Sequence, residues 1–317
     1  MRRKSREAGR KDRAHGLHLA ELAILSLESC AEGLGDQLPA LEARGWAWLG
    51  NARRLALDFS GAEEALQVAV SKNRPRNVLA EGEIYLYQAS LRLYQRRFDE
   101  ALGLIGRAVE SFEGASERYL LAQALIVRAN IGIYSGKVET AVPDLKKAIR
   151  IARDNDPFLH LSATMNLATA YALLRSFQLA AGLLPQVKEL CSVTGSRLVF
   201  HQLQWLKALT EIGIGRTSSA GKLLNSAREG FLEINEVDYA AVVSLELAIL
   251  FQKSGRPKNA LKLASQALPV FEALNIHGEA TAALELLTSS VEAQEVPISV
   301  LRQARTRMVQ LKILVVP

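Results

Sequence analysis

Trp46-Ala47-Trp48-Leu49-Gly50, followed by Phe59, Ala62, Leu66 and Ala69, opens a spacing that returns five more times along the chain. The same frame falls on Tyr85, Ala89, Phe98, Ala101, Ile105 and Ala108, and then on Leu125, Ala129, Gly136, Val138, Ala141, Leu145 and Ala148. A fourth copy reads Leu167, Ala168, Tyr171, Phe177, Ala180, Leu184 and Val187; a fifth reads Ala208, Gly215, Ala220, Leu224 and Ala227. The sixth is Leu247, Ala248, Phe251, Gly255, Ala260, Ala264 and Ala267. The anchoring alanine stands at 62, 101, 141, 180, 220 and 260, at intervals of 39, 40, 39, 40 and 40. A period of this length, held in phase, is the signature of stacked supersecondary units.

The residue types fit close helix packing. Gly50 and the alanines at its equivalent positions (89, 129, 168, 208 and 248) remove bulk where the first helix of a pair meets the second. Leu66, Ile105, Leu145, Leu184 and Leu224 fill the space between successive pairs. Ser135-Gly136-Lys137 and Ser254-Gly255-Arg256-Pro257 supply a left-handed stop and a helix start, and Asp154-Asn155-Asp156-Pro157, Thr194-Gly195-Ser196 and Asn235-Glu236 separate one pair from the next.

On these residues the chain resembles the tetratricopeptide repeat family in a long-period, bacterial-type form. The family's pattern is an aromatic, Leu-Gly, a loop, a second aromatic, and then Ala, a large residue and Ala on a second helix. The resemblance implies an all-α, right-handed α-solenoid of antiparallel helix pairs. The period of 39–40 exceeds the family's usual length of about 34, so each helix should run about one turn longer or the loops should be wider. Arg53, Arg92 and Glu211 stand where the family places Tyr, and Thr217 where it places an aromatic.

The expected organisation is a basic disordered arm over 1–16 and a solenoid over 17–317. Within the solenoid, a capping helix covers 17–34, about six repeats cover 40–275, and a degenerate helix pair covers 276–317; in all, about fourteen helices and no sheet are expected. A further helix is expected over Pro269–Leu274.

Composition agrees. Hydrophobic residues are 49% and aromatics only 6%, with the apolar weight on Leu and Ala, which favour helices over strands. Net charge is +6, of which residues 1–13 hold +5, so the basic character belongs to the arm and not to a folded surface. No membrane span is expected, because no window approaches about 20 uninterrupted apolar residues. The two cysteines, Cys30 and Cys191, lie 161 residues apart, which fits free thiols in a reducing cytoplasm and no disulfide framework.

Catalysis has no motif to rest on. There is no Gly-x-Ser-x-Gly, no phosphate-binding Gly-rich loop and no His-Glu-x-x-His, so no enzyme, cofactor or metal is expected. The five histidines are scattered and read as solvent-facing.

What the tetratricopeptide resemblance implies is a concave groove lined by the first helices, taking a protein or peptide segment. Carrying the family's concave positions over gives Arg44, Asn51 and Arg54 in the first repeat, and Glu83, Leu86, Ser90 and Tyr94 in the second. The third contributes Gln123, Ile126, Asn130 and Tyr134. The fourth and fifth contribute Ser162, Met165, Thr169, Gln202 and Trp205. Asn51, Ser90, Asn130 and Thr169 share one equivalent position and form a candidate ladder for a ligand backbone, with Trp205 as a large apolar anchor. The chaperone-type carboxylate clamp is absent: Asn51 matches one of its positions, but Ala47, Tyr87, Gln123 and Val127 occupy the others. The leading reading is a non-catalytic binding scaffold. The alternatives are a ligand-responsive regulator acting through a separate effector, since no helix-turn-helix fits in residues 1–34, and nucleic-acid contact through the basic residues 2–13.

Overall fold

A computed structural model describes residues 13–56, 58–153 and 156–273. These residues form α-helices joined by short turns, with no strand among them. Helix α1 is Arg13–Ser29, α2 is Ala31–Leu34, and α3 is Leu38–Leu55. Then come α4 (Phe59–Lys72), α5 (Val78–Tyr94), α6 (Phe98–Gly114), α7 (Arg118–Tyr134) and α8 (Ala141–Ala152). The series continues with α9 (Pro157–Leu173), α10 (Phe177–Thr194), α11 (Arg197–Gly213), α12 (Thr217–Glu233), α13 (Val237–Lys253) and α14 (Pro257–Ala273). From α3 onward consecutive helices pair, which makes the fold an all-α solenoid of helix pairs.

The chain divides into two compact units, one of residues 13–135 and 143–153 and the other of 136–142 and 156–273. In the first, α1 packs on α3, α3 on α4 and α5, and α5 on α6. In the second, α9 packs on α10, α11 on α12, and α13 on both α12 and α14.

The repeat frame explains the packing. The anchoring alanines 62, 101, 141, 180 and 220 have no exposed surface and Ala260 has 4%. A methyl group on Gly50 would stand 2.7 Å from Leu66 Cγ and 3.2 Å from the Ala62 carbonyl oxygen. That is why the first pair, α3 against α4, needs glycine there. The arginines at the family's tyrosine position tie first helix to second by charge. Arg53 Nη1 donates to the Gly61 carbonyl at 3.0 Å, and Arg92 grips Glu63 with both terminal nitrogens at 2.5 and 2.8 Å. This fork holds the Glu63 carboxyl below its ordinary range. Arg128 makes the same two-pronged contact with Asp144 of α8, both at 2.7 Å.

Turns obey the period as well. Arg96, Gly136, Arg175, Gly215 and Gly255, each ending a first helix, take positive φ between 59° and 87°. Three glycines adopt this at no steric cost; the two arginines do not. Replacing Arg175, whose side chain is exposed, with glycine is therefore expected to stabilise the chain by up to about 1 kcal/mol. A rise in urea midpoint checks it, and a fall would mean that the Arg175 side chain makes a contact worth more than the strain. The first helices α5, α9 and α11 begin on side-chain caps: Asn77, Asp156 and Ser196 accept from the backbone N–H of Ala80, Leu159 and Val199 at 2.9, 2.9 and 3.4 Å.

Three expectations are corrected. Helix α1 begins at Arg13, so residues 13–16 belong to a helix and not to the arm; residues 1–12 lie outside the described residues. The single capping helix over 17–34 is broken at Cys30 into α1 and α2. Pro269 starts no helix, because α14 runs through it from Pro257 to Ala273. The helix pair expected over 276–317 lies outside the described residues.

Candidate partner-binding face

The first helices α3, α5 and α7 of the first unit and α9 and α11 of the second carry the positions assigned to the groove. In the first unit, Arg44 of α3 donates through Nε and Nη2 to Glu83 Oε1 of α5 at 3.2 and 2.9 Å, and Glu83 is fully buried. The two residues are 39 apart, at equivalent places in successive repeats, so this ion pair locks neighbouring first helices in register. On the last turn of α3, Asn51 Oδ1 accepts from Arg54 Nε at 3.1 Å and Nη2 at 2.7 Å. Arg54 is 1% exposed, with its guanidinium carbon 4.9 Å from the centre of the Tyr94 ring. Burial lowers the Arg54 pKa, partly offset by Tyr94. Tyr94, 39% exposed, also lies 6.1 Å from the Phe59 ring.

Of the sixteen assigned residues, Arg44, Asn51, Tyr94 and Tyr134 keep accessible surface, and all four are in the first unit. The other twelve, Arg54, Glu83, Leu86, Ser90, Gln123, Ile126, Asn130, Ser162, Met165, Thr169, Gln202 and Trp205, are buried. The polar ladder is therefore not open to a ligand along its length. Ser90 and Thr169 turn their hydroxyls back onto the carbonyls of Leu86 and Met165 at 2.9 and 3.0 Å, and Asn130 has no exposed surface. Gln202 donates to the Tyr239 hydroxyl at 3.1 Å. Trp205 is not an accessible anchor: fully buried, it meets Phe231 edge-on at 6.5 Å.

A sequence signal for this burial existed. Helix α7 carries Arg128 as its only charged residue after its first, Arg118, and α9 carries no Asp, Glu, Lys or Arg at all. Helices so poor in charge are buried on every side. The histidines are likewise not all solvent-facing: His160 is buried beside Gln186 at 3.1 Å, and the half-buried His201 ring fills the space that Gly230 leaves, where a methyl group would stand 2.0 Å from Cε1. Burial, helped by nearby Arg197, lowers the His201 pKa and favours its neutral form. Burial also raises the Cys191 thiol to about 11, which disfavours a thiolate at neutral pH. Among the described residues no helix is long and apolar enough to cross a membrane, and no group of three His, Cys, Asp or Glu is placed to hold a metal ion.

No family model matches the chain, and no curated protein matches it by sequence. Solved structures do match by shape. A Rap protein complexed with the competence and sporulation factor has a TM-score of 0.70 at 13% identity, over 95% of this chain and 88% of that one. The apo form of RapI gives 0.65 at 14% identity, over 84% and 96%. A signal-transduction ATPase with a tetratricopeptide repeat sensor from Pyrococcus horikoshii gives 0.58 at 16%, over 82% of this chain and 43% of that one. Identities this low speak for fold alone, and together with six pairs in phase they give this chain the tetratricopeptide-like repeat fold.

Proposed function

We propose that the chain is a non-catalytic binding array that takes an extended protein or peptide segment on the first-helix face of its first unit. The carrying observation is that the accessible polar and aromatic side chains Arg44, Asn51, Tyr94 and Tyr134 gather on α3, α5 and α7, while the residues assigned to the groove on α9 and α11 are buried. Two accessible rings 40 residues apart, Tyr94 exposed and Tyr134 half-buried, suit the alternate side chains of an extended ligand, and Asn51 suits its backbone. Support of another kind is that a protein of this fold was solved in complex with a factor. The same reading makes the protein a cytoplasmic one that acts on a separate effector if binding is regulatory.

A random peptide library panned on the full chain tests it. Tyr94→Ala with Tyr134→Ala is expected to weaken the enriched peptides by about tenfold or more with helicity unchanged. The second-helix face supplies the control: Lys146→Glu with Lys147→Glu on α8, where Lys147 pairs with Glu113 at 2.6 Å, is expected to leave binding as it was. If the lysine reversals abolish binding and the tyrosine changes do nothing, the partner docks on the second helices and the reading fails.

A further inference from the structure

The second unit sorts its charge by edge. Three turns join a first helix to its own second helix, α9–α10, α11–α12 and α13–α14, and within four residues of them stand Arg175, Arg216, Lys253, Arg256 and Lys258 against Glu211 alone. The turns at the other end of these helices, α10–α11 and α12–α13, lean the opposite way, with Glu233, Glu236 and Asp238 against Arg197. All five cations of the first edge are exposed. Arg216 meets Glu211 only at 3.5 Å with 69% of its side chain open to water, and the Arg256 guanidinium carbon lies 4.5 Å from the centre of the Phe251 ring. A row of one sign on a folded edge makes a field that favours an acidic partner and steers its approach.

A cleft lies within the same edge. It opens between the start of α10 and the end of α11, has a volume of about 560 Å³, and has Arg175, Phe177, Leu179, Gly213 and Ile214 in its walls. A methyl group on Gly213 would stand 2.3 Å from Cδ1 and Cε1 of Phe177, so the ring rests on bare backbone there. Leu179 and Ile214 are 54% and 38% exposed. Single apolar side chains on a surface are ordinary, but two sharing one cleft mark a place for a partner. Arg175 stands on the α10 side of the cleft, and Arg216 follows Ile214 by two residues on the α11 side, so each side carries a cation. Arg175 also holds φ at 59°, where the turns after α7, α11 and α13 use Gly136, Gly215 and Gly255. No ion pair or hydrogen bond of its side chain among the described residues accounts for an arginine there. A strained position kept by a charged side chain that its own unit does not use points to a role outside the unit.

We propose that this edge of the second unit docks an acidic segment of a partner protein: one large apolar side chain of the segment enters the cleft between Leu179 and Ile214, and its carboxylates meet Arg175 and Arg216. Arg256 and the two lysines extend the attraction along the next turn. The site belongs to the second unit and does not rest on the reading of the first-helix face of the first. A protein segment fits better than nucleic acid, because the cleft offers aliphatic surface and a half-buried ring already set against Gly213, whereas bases need open rings to stack on.

The test uses the full chain and three fluorescent probes: a peptide of Asp and Glu with one central leucine, the same peptide with alanine in its place, and single-stranded DNA of equal charge. The leucine peptide should bind, less tightly as salt rises, and the alanine peptide about tenfold more weakly. Arg175→Gly should raise the urea midpoint and yet weaken the leucine peptide about tenfold; an arginine kept for structure would lower the midpoint. Arg216→Glu should weaken the same peptide. Leu179→Gln with Ile214→Gln, both at exposed positions, should bring the leucine and alanine peptides to one affinity. Lys146→Glu with Lys147→Glu alters charge on the first unit and should leave binding as it was. No binding of the leucine peptide overturns the proposal, as do leucine and alanine peptides of equal affinity for the wild type, or DNA that binds as tightly as the leucine peptide, which would make the edge a surface for nucleic acid. Binding lost when the basic residues among 2–13 are neutralised, and kept in Arg175→Gly, overturns it too. If Tyr94→Ala with Tyr134→Ala removes this binding while Arg175→Gly does not, the acidic segment sits on the first-helix face: the edge site falls and the binding-array reading stands.

Discussion

Truncating Trp205 to alanine is expected to destabilise the second unit by about 3–5 kcal/mol, the usual cost of removing a large buried aromatic. The indole has no exposed surface and lies among Ala208, Leu209, Leu224 and Phe231 in one core cluster. Phe231 meets it edge-on at 6.5 Å and 89°, and in turn stacks on Tyr239 at 5.0 Å and 21°. Such ring pairs add to simple burial, so the loss spreads over α11, α12 and α13. One feature pulls the other way: the indole Nε1 is buried without an acceptor, and removing an unsatisfied donor returns part of the cost. Trp205→Phe separates the two contributions, since it keeps a ring and drops the N–H; its cost should be well below that of alanine. Urea unfolding followed by circular dichroism measures both. A cost under about 1 kcal/mol for Trp205→Ala would put the indole outside the core.

Trp205 also shows where sequence reading reached its limit. The helix pairs, the turns and the interior role of the alanines were legible because each repeat copies the same small residue at the same offset, and a copied small residue means a close contact. The direction in which a first-helix side chain looks was not legible in that way. It depends on how near the neighbouring first helix stands, and that distance is set by residues a full period away. Glu83 meets Arg44 and Gln202 reaches Tyr239, 39 and 37 residues apart. Polar residues at these positions therefore serve contacts between helices as readily as contacts with a ligand. Arg54 departs from the frame in another way, since the equivalent residues of the next four repeats, Leu93, Ile133, Ala172 and Ile212, are apolar and that of the sixth is Gln252.

The same logic says that equivalent positions need not carry equal energy. Leu224 and Leu184 occupy one place in the frame, the large residue between the two anchoring small ones, but Leu224 has no exposed surface while Leu184 is only half-buried. Leu224→Ala opens a cavity inside the cluster built by Trp205, Phe231 and Leu250, and about 2–5 kcal/mol is the expected loss. Leu184 packs against the edge of a smaller cluster formed by Leu161, Met165, Val187 and Leu203. Water can enter the space that truncation leaves there, so the cavity contribution largely vanishes and about 1 kcal/mol of lost burial remains. Pro185 follows Leu184 inside α10 and lacks the N–H that would bond to the Ala181 carbonyl, so this helix is also less tightly held where Leu184 sits. Urea midpoints of Leu224→Ala and Leu184→Ala, measured side by side, should differ clearly, with Leu224→Ala the lower. Equal midpoints would mean that the repeat frame, and not local burial, sets the energy of the position.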